Sequence, residues 1–269
     1  MDLIIISILA VTIIGFVCAI ILSIASKYLS TPTNETIEKL IEALPGSNCG
    51  ACGYVGCHGY AQAMFEENAE TGLCTPGGEN TASILANILN QEVQKFSAKA
   101  AYIACGGDNT ACAVVSEYTG IQTCYAAHKH AQTIKSCIYG CIGFGDCAVA
   151  CPNNAIILTN GLAHVTIKCC TGCGLCTNSC PRKLIQINNK NIETFVSCSN
   201  QETAVAARTR CSKCCLGCKK CERNCPEHAI TVQNNVAVIN YEQCINCWVC
   251  AEGCPTACIT NFFHTKGTI

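Results

Sequence analysis

Hydrophobic and polar positions divide the chain into stretches of different period. Residues 3–26, LIIISILAVTIIGFVCAIILSIAS, run for 24 positions without a charge, long enough for a membrane-spanning helix. No basic segment precedes the run, and it exceeds the usual apolar core of a signal peptide. Asp2 before it and Lys27 after it favour a cytoplasmic C-terminal side. Ile37, Leu40, Ile41 and Leu44 then fall at i, i+3, i+4 and i+7, an amphipathic helix that Pro45-Gly46 ends. Residues 79–100, ENTASILANILNQEVQKFSAKA, read as a helical linker. Beyond it the period shortens. A unit of Cys-Pro, two residues, a small residue or Leu, and Ile, then an alternating strand, recurs at Cys151, Cys180, Cys225 and Cys254. Asn160-Gly161 and Asn234-Asn235 mark hairpin turns between strands.

Twenty-nine of the 269 residues are cysteine. Such density usually marks a disulfide scaffold in a short secreted chain. Here the cysteines instead fall in C-x2-C-x2-C-x3-C-P runs, the spacing of bacterial iron–sulfur ligation, which calls for thiolates and a reducing compartment. Zinc is the alternative, and it predicts a colourless protein. Cys49, Cys52, Cys57 and Cys74 form a self-contained one-cluster set, with Gly50, Gly53 and Gly56 between them. In paired runs the fourth cysteine of each ligates the other cluster. That crossover groups Cys215, Cys218 and Cys221 with Cys254, and Cys244, Cys247 and Cys250 with Cys225. Upstream, Cys170, Cys173 and Cys176 take Cys151, and the irregular Cys137, Cys141 and Cys147 take Cys180.

The expected fold class is therefore α+β: an N-terminal transmembrane helix, a small [4Fe-4S] module, then two bacterial-type ferredoxin-like domains. The boundaries read as an anchor over 1–28, the one-cluster domain over 29–78, a helical linker over 79–104, and ferredoxin-like domains over 105–200 and 201–269. No Gly-rich phosphate loop, flavin or nicotinamide signature, or Ser/His/Asp arrangement is present, and no catalytic residue is expected. The formal charge is −1, yet each oxidised cube with four thiolates adds about two negative charges, about twelve for six cubes. Residues 105–269 carry thirteen basic and nine acidic side chains, against four and nine in residues 1–104. Arg208, Arg210, Lys213, Lys219, Lys220 and Arg223 crowd against a single acid, Glu222. They suit docking of an acidic electron carrier, or an offset to cluster charge.

The charge-free span together with CGACGYVGCHGYA, TGIQTC, CIYGCIGFGDCAVACP, KCCTGCGLCTNSCPRKLI and YEQCINCWVCAEGCP resembles the RnfB family, the iron–sulfur subunits of the ion-translocating ferredoxin:NAD oxidoreductase (Rnf) complexes, in its longer, cluster-rich form. The resemblance covers residue 1 to about 260. It implies a reversible relay from reduced ferredoxin to membrane subunits of a sodium- or proton-translocating oxidoreductase complex, without a substrate-converting site in this chain. It places the chain at the bacterial cytoplasmic membrane, single-pass, with its bulk in the cytoplasm, beside other Rnf subunits and without nucleic acid. A span lacking ionisable residues offers no ion path, so pumping belongs to other subunits. The resemblance also implies an extra cluster on Cys105, Cys124, Cys198 and Cys211; the alternative is that these stay unligated or hold something else. Six [4Fe-4S] clusters follow, or five without the extra one, and Cys18, Cys112, Cys169, Cys214 and Cys258 are left over. Trp248 departs from the small residue expected between ligands. A soluble polyferredoxin and a corrinoid iron–sulfur protein are the competing readings; the span argues against the first, and the absence of room for a cobalamin domain against the second.

Overall fold

The computed structural model describes residues 9, 12–23, 35–93, 96–130 and 133–261. Residues 12–23 are helical (α1) and exposed; apart from Leu9, the rest of the expected 3–26 span lies outside the described residues. Among the described residues no helix is long and apolar enough to cross a membrane.

The predicted amphipathic helix forms as α2 (Glu35–Ala43). Its apolar stripe buries Leu40 and is continued by the buried Leu44, against α3 (Gly56–Glu66) and α4 (Gly78–Leu89). Tyr60, Ala61, Met64 and Leu85 fill this core, and Cys74 closes one side of it. The Tyr60 hydroxyl donates to the Glu70 carbonyl at 2.5 Å, which ties the chain leading to Cys74 onto α3. Asn90, in a left-handed conformation, ends α4.

Of the stretch expected to be helical, 79–104, the helix α4 extends only to Leu89. Residues Lys99–Ile103 form a strand, β1, paired antiparallel with β4 (Ile185–Asn189). Alanine favours helices, but propensity is a weak prior that tertiary pairing overrides. Ala100, Ala101 and Tyr102 are all buried here. Tyr102 stacks on Phe195 with 5.3 Å between ring centroids, and its hydroxyl donates to the Asn189 carbonyl at 3.0 Å.

Four two-stranded antiparallel sheets form two similar units. In the upstream unit β1 and β4 flank the hairpin of β2 (Ile156–Thr159) and β3 (Leu162–Val165), which turns at Asn160-Gly161 with φ of 48° and 70°. Downstream, β5 (Thr194–Val196) pairs with β8 (Ile259–Asn261) and β6 (Ile230–Gln233) with β7 (Val236–Ile239). That hairpin turns at Asn234 and Asn235, with φ of 47° and 64°, as the type I′ turn requires. Short helices fill the gaps: α5 (Cys124–His130), α6 (Asp146–Val149), α7 (Leu175–Ser179), α8 (Ala204–Arg210), α9 (Lys220–Asn224) and α10 (Val249–Glu252). The two cores are small and built largely of alanine, isoleucine, valine and cysteine.

Candidate metal centres

Each Cys-Pro repeat builds the same local device. The carbonyls of Cys151, Cys180, Cys225 and Cys254 accept from the amides of Asn154, Lys183, His228 and Ala257 at 3.3, 3.1, 3.3 and 3.2 Å. Those four residues adopt left-handed φ of 48°, 54°, 50° and 50°. The turn aims the next amide back at the sulfur: Ala155 N donates to Cys151 Sγ at 3.3 Å and Leu184 N to Cys180 Sγ at 3.5 Å. The proline suits the turn because it needs no donor there. Amides aimed at sulfur stabilise a thiolate over a thiol.

The cysteines converge on five cavities. Cys151, Cys170, Cys173 and Cys176 line one of about 310 Å³. Cys225, Cys244, Cys247 and Cys250 line another of about 370 Å³, and Cys215, Cys218, Cys221 and Cys254 a third of about 340 Å³, joined by Cys258. These three groups are the ones the crossover pattern predicts. Cys49, Cys52 and Cys57 all act electrostatically on Cys74, so the N-terminal four also gather.

The remaining two groups differ from the sequence expectation. Cys124, not Cys137, joins Cys141, Cys147 and Cys180 around a cavity of about 430 Å³. Cys137 instead lines a cavity of about 330 Å³ with Cys105, Cys198 and Cys211. Cys112 and Cys214 line it too. The cause is local. The Asp146 carboxylate accepts from the amides of Cys124 and Tyr125 at 2.8 and 3.0 Å, docking the start of α5 against α6 and Cys147. Arg182 donates to the carbonyls of Cys137 and Gly140 and holds the Cys137 loop at the other cavity. Close approach is possible there because Gly107 has no side chain; a Cβ would sit 3.3 Å from Cys211 Sγ and 3.2 Å from Cys112 Cβ.

Burial dominates the thiol chemistry. It pushes Cys105, Cys147 and Cys250 up to about 12, and Cys176, Cys198 and Cys221 up to about 11. Cys258 acts oppositely on its neighbours: hydrogen bonding to it holds Cys215 down to about 6 and Cys254 to about 4. Its sulfur lies 3.6 Å from that of Cys254, so this core residue also touches the third cavity. Cys112, bonded to Cys211 and at 3.4 Å to Ser136 Oγ, is likewise lowered. Cys169 and Cys18 are exposed.

Neighbouring groups touch. Thr75 Oγ1 donates to Gly172 O at 3.4 Å, between the N-terminal four and the Cys170 group. Cys176 acts on Cys147. Cys141 N donates to Cys105 Sγ at 3.2 Å, and Cys215 N to Cys198 Sγ at 3.2 Å. Cys221 and Cys225 act on Cys250.

The basic stretch divides. Arg210 pairs with Glu202 at 2.8 Å and Lys213 with Asp108 at 3.4 Å, while Arg208 donates to the Ser212 carbonyl at 2.7 Å. Lys219, Lys220 and Arg223 are exposed, and both lysines line the Cys215 cavity. Trp248 takes φ of 62° at the position where Gly145, Gly174 and Lys219 also start short helices with positive φ. Its indole donates to Glu193 at 2.9 Å.

Cavities lined by four or more sulfurs, with backbone amides aimed at several of those sulfurs, suit an iron–sulfur cube bound by four cysteines. The comparisons agree with that donor chemistry. A family model described as "Putative Fe-S cluster" matches residues 44–76. The chain is 36% identical, over 96% of its length and 93% of the relative's, to the B component of the proton-translocating ferredoxin:NAD(+) oxidoreductase complex of Clostridium ljungdahlii. It is 33% identical to the B component of the ion-translocating oxidoreductase complex of Methanosarcina acetivorans, over 91% of this chain and 94% of that one. It is also 33% identical to the B component of the Na(+)-translocating ferredoxin:NAD(+) oxidoreductase complex of Acetobacterium woodii, over 91% and 74%.

Proposed function

The chain belongs to the RnfB family, the B components of ion-translocating ferredoxin:NAD(+) oxidoreductase complexes, and on that footing we propose that it is the relay between reduced ferredoxin and the membrane subunits. The observation that carries the reading is the unbroken succession of cysteine groups, each in contact or electrostatic reach of the next. A bound [4Fe-4S] cube supplies one-electron chemistry at each group.

Six sets of four thiolates would hold the cubes. In order from the N-terminal module they are Cys49, Cys52, Cys57 and Cys74; Cys151, Cys170, Cys173 and Cys176; Cys124, Cys141, Cys147 and Cys180; Cys105, Cys137, Cys198 and Cys211; Cys215, Cys218, Cys221 and Cys254; and Cys225, Cys244, Cys247 and Cys250. The fourth set, like the others, brings four cysteine sulfurs onto one cavity, which favours the same kind of cube there. The pairing of β1 with β4 and of β5 with β8 favours ferredoxin-like units that begin at β1 and β5, earlier than the cysteine pattern alone suggests.

The chain's own groups do three things. The repeat turns and buried amides hold sulfurs in the thiolate state when iron is bound. The alanine- and isoleucine-rich cores keep water from the inner sulfurs. Lys219, Lys220 and Arg223 present positive charge to an acidic donor beside the Cys215 set. The charge-free residues 3–26 suit a membrane anchor with the N-terminal module beside it, facing integral subunits. Anaerobic iron and sulfide analysis with electron paramagnetic resonance (EPR) tests the reading: about 24 iron atoms per chain is the expectation for six cubes. About 20 would remove the fourth set, and a colourless protein would replace the relay with a zinc-bound module.

A further inference from the structure

Among the described residues, buried Lys135 and half-buried Arg182 of the upstream half have no acidic partner. Lys135 is 2% exposed, and its ammonium donates to the carbonyls of Gly107 at 3.1 Å and Gly161 at 2.6 Å. Arg182 lines the Cys124/Cys141/Cys147/Cys180 cavity, donates to the Cys137 and Gly140 carbonyls, and keeps its Nε buried without a hydrogen-bond partner. Among the described residues the ion pairs are Lys39–Glu35, Arg210–Glu202 and Lys213–Asp108; neither cation belongs to one. A buried charge without a counter-ion is strongly disfavoured, so an opposite charge is expected close by.

The groups these cations face are sulfurs. Lys135 bonds the carbonyl of Gly107, a residue packed against the sulfurs of Cys211 and Cys105, and it acts on Cys105, Cys112 and Cys141. Arg182 bonds the Cys137 carbonyl, acts on the Cys137 sulfur, and is itself acted on by Cys137, Cys141, Cys105 and Cys180. Both therefore sit at the junction of the third and fourth sets, where Cys141 N already donates to Cys105 Sγ.

We propose that Lys135 and Arg182 are a fixed pair of counter-charges shared by the third and fourth thiolate sets, which raises the reduction potentials at these two sets above those of their neighbours and makes the middle of the relay its electron-holding point. The proposal rests on the six-set reading. Its sign follows from charge. Reduction adds one negative charge to a cube, and burial alone penalises that form by removing water. Two adjacent cations favour it, and net charge and hydrogen bonds to sulfur are among the determinants of cluster potential. Asn200 adds to the fourth set, its amide side chain 3.5 Å from Cys137 Sγ and its backbone amide 3.5 Å from Cys198 Sγ. In the fifth set the cations at the cavity, Lys219 and Lys220, are exposed, so water screens them, whereas the charge of Lys135 acts from a buried site.

The test is an EPR-monitored redox titration of the loaded full chain. Wild type should show two cube signals at higher potential that are magnetically coupled to each other, with one of them lost in Cys124→Ala and the other in Cys137→Ala. Lys135→Met should shift both signals to lower potential and leave the other four in place at unchanged iron content; Arg182→Gln, which keeps an amide donor towards the Cys137 and Gly140 carbonyls, should shift both the same way. Lys135→Arg and Arg182→Lys should return them towards wild type. Should Lys135→Met not retain its iron, the Arg182 pair of variants decides. Full iron with unmoved midpoints would overturn the counter-charge proposal alone. A wild-type content of about 20 iron atoms would overturn the fourth set, and the shared counter-charge with it.

Discussion

Reversing Lys219 and Lys220 to glutamate should slow reduction of the chain by a reduced acidic ferredoxin, and the structure sets the size of the effect. Arg210 and Lys213 are neutralised by Glu202 and Asp108, which leaves Arg208, Lys219, Lys220 and Arg223 against Glu222. The side-chain balance is thus about three positive charges, which the double reversal takes to about one negative, a change of about four on top of the fixed charge of the neighbouring cube. Electrostatic steering accelerates association by about 10–10³-fold, so a loss of about tenfold or more is expected at an ionic strength of about 0.01 M, where charges act over about 30 Å. At about 1 M the reach falls to about 3 Å, and the variant should come within about twofold of wild type. Stopped-flow bleaching of the cluster absorbance measures both rates. Lys39→Glu is the control, because Lys39 pairs with Glu35 in the N-terminal module. An unchanged rate at low salt, or an equal loss at both salts, would refute the docking role and leave these lysines as local counter-ions to the Cys215 set.

Four further outcomes are expected. Cys124→Ala and Cys137→Ala should each lose about four iron atoms and abolish different EPR signals, whereas Cys112→Ala and Cys214→Ala should keep full iron. Cluster retention should weaken as pH falls: burial raises Cys105, Cys147 and Cys250 to about 12, so their empty sites favour the protonated thiol and iron must displace protons. The empty fold responds with the opposite sign, its thiol contribution being complete below the ordinary thiol range near 9 and lost as pH climbs towards 12. Iron release to a chelator at pH 6 against pH 8 checks the first statement. Gly172→Ala should destabilise the upstream unit by about 1–3 kcal/mol, since Gly172 has φ of 70° and a Cβ would lie 2.6 Å from the Lys99 carbonyl; a lower thermal midpoint of the loaded chain measures it.

The parts of this protein that repeat are readable from sequence, because each repeat carries its own instructions. Cysteine, proline and a left-handed third residue make the turn wherever they occur, as at Asn154, Lys183, His228 and Ala257. The apolar stripe of α2 and the asparagine-rich hairpin turns are equally local. What escapes such reading depends on distant contacts. Residues 99–103 look helical by composition and become a strand only because residues 185–189 lie beside them. The run Cys137, Cys141, Cys147 has no regular spacing, and its partition is decided by the Asp146 carboxylate gripping amides 21 and 22 residues earlier and by Arg182 gripping the Cys137 loop. Nothing in the spacing of the cysteines encodes either grip. Lys135 stays invisible for a similar reason: an isolated lysine carries no pattern until burial isolates it from water.

The fourth set draws Cys105 and Cys137 from before the Cys170 run, and Cys198 and Cys211 from after it. During synthesis its cavity stays incomplete until residue 211 has left the ribosome, by which point every cysteine of the first three sets has already emerged. If a cube binds there as proposed, it would fasten the two units by a bridge of iron and sulfur as well as by the chain between them. Such a clasp would make the units melt together, and loss of one cube there would separate a single thermal transition into two.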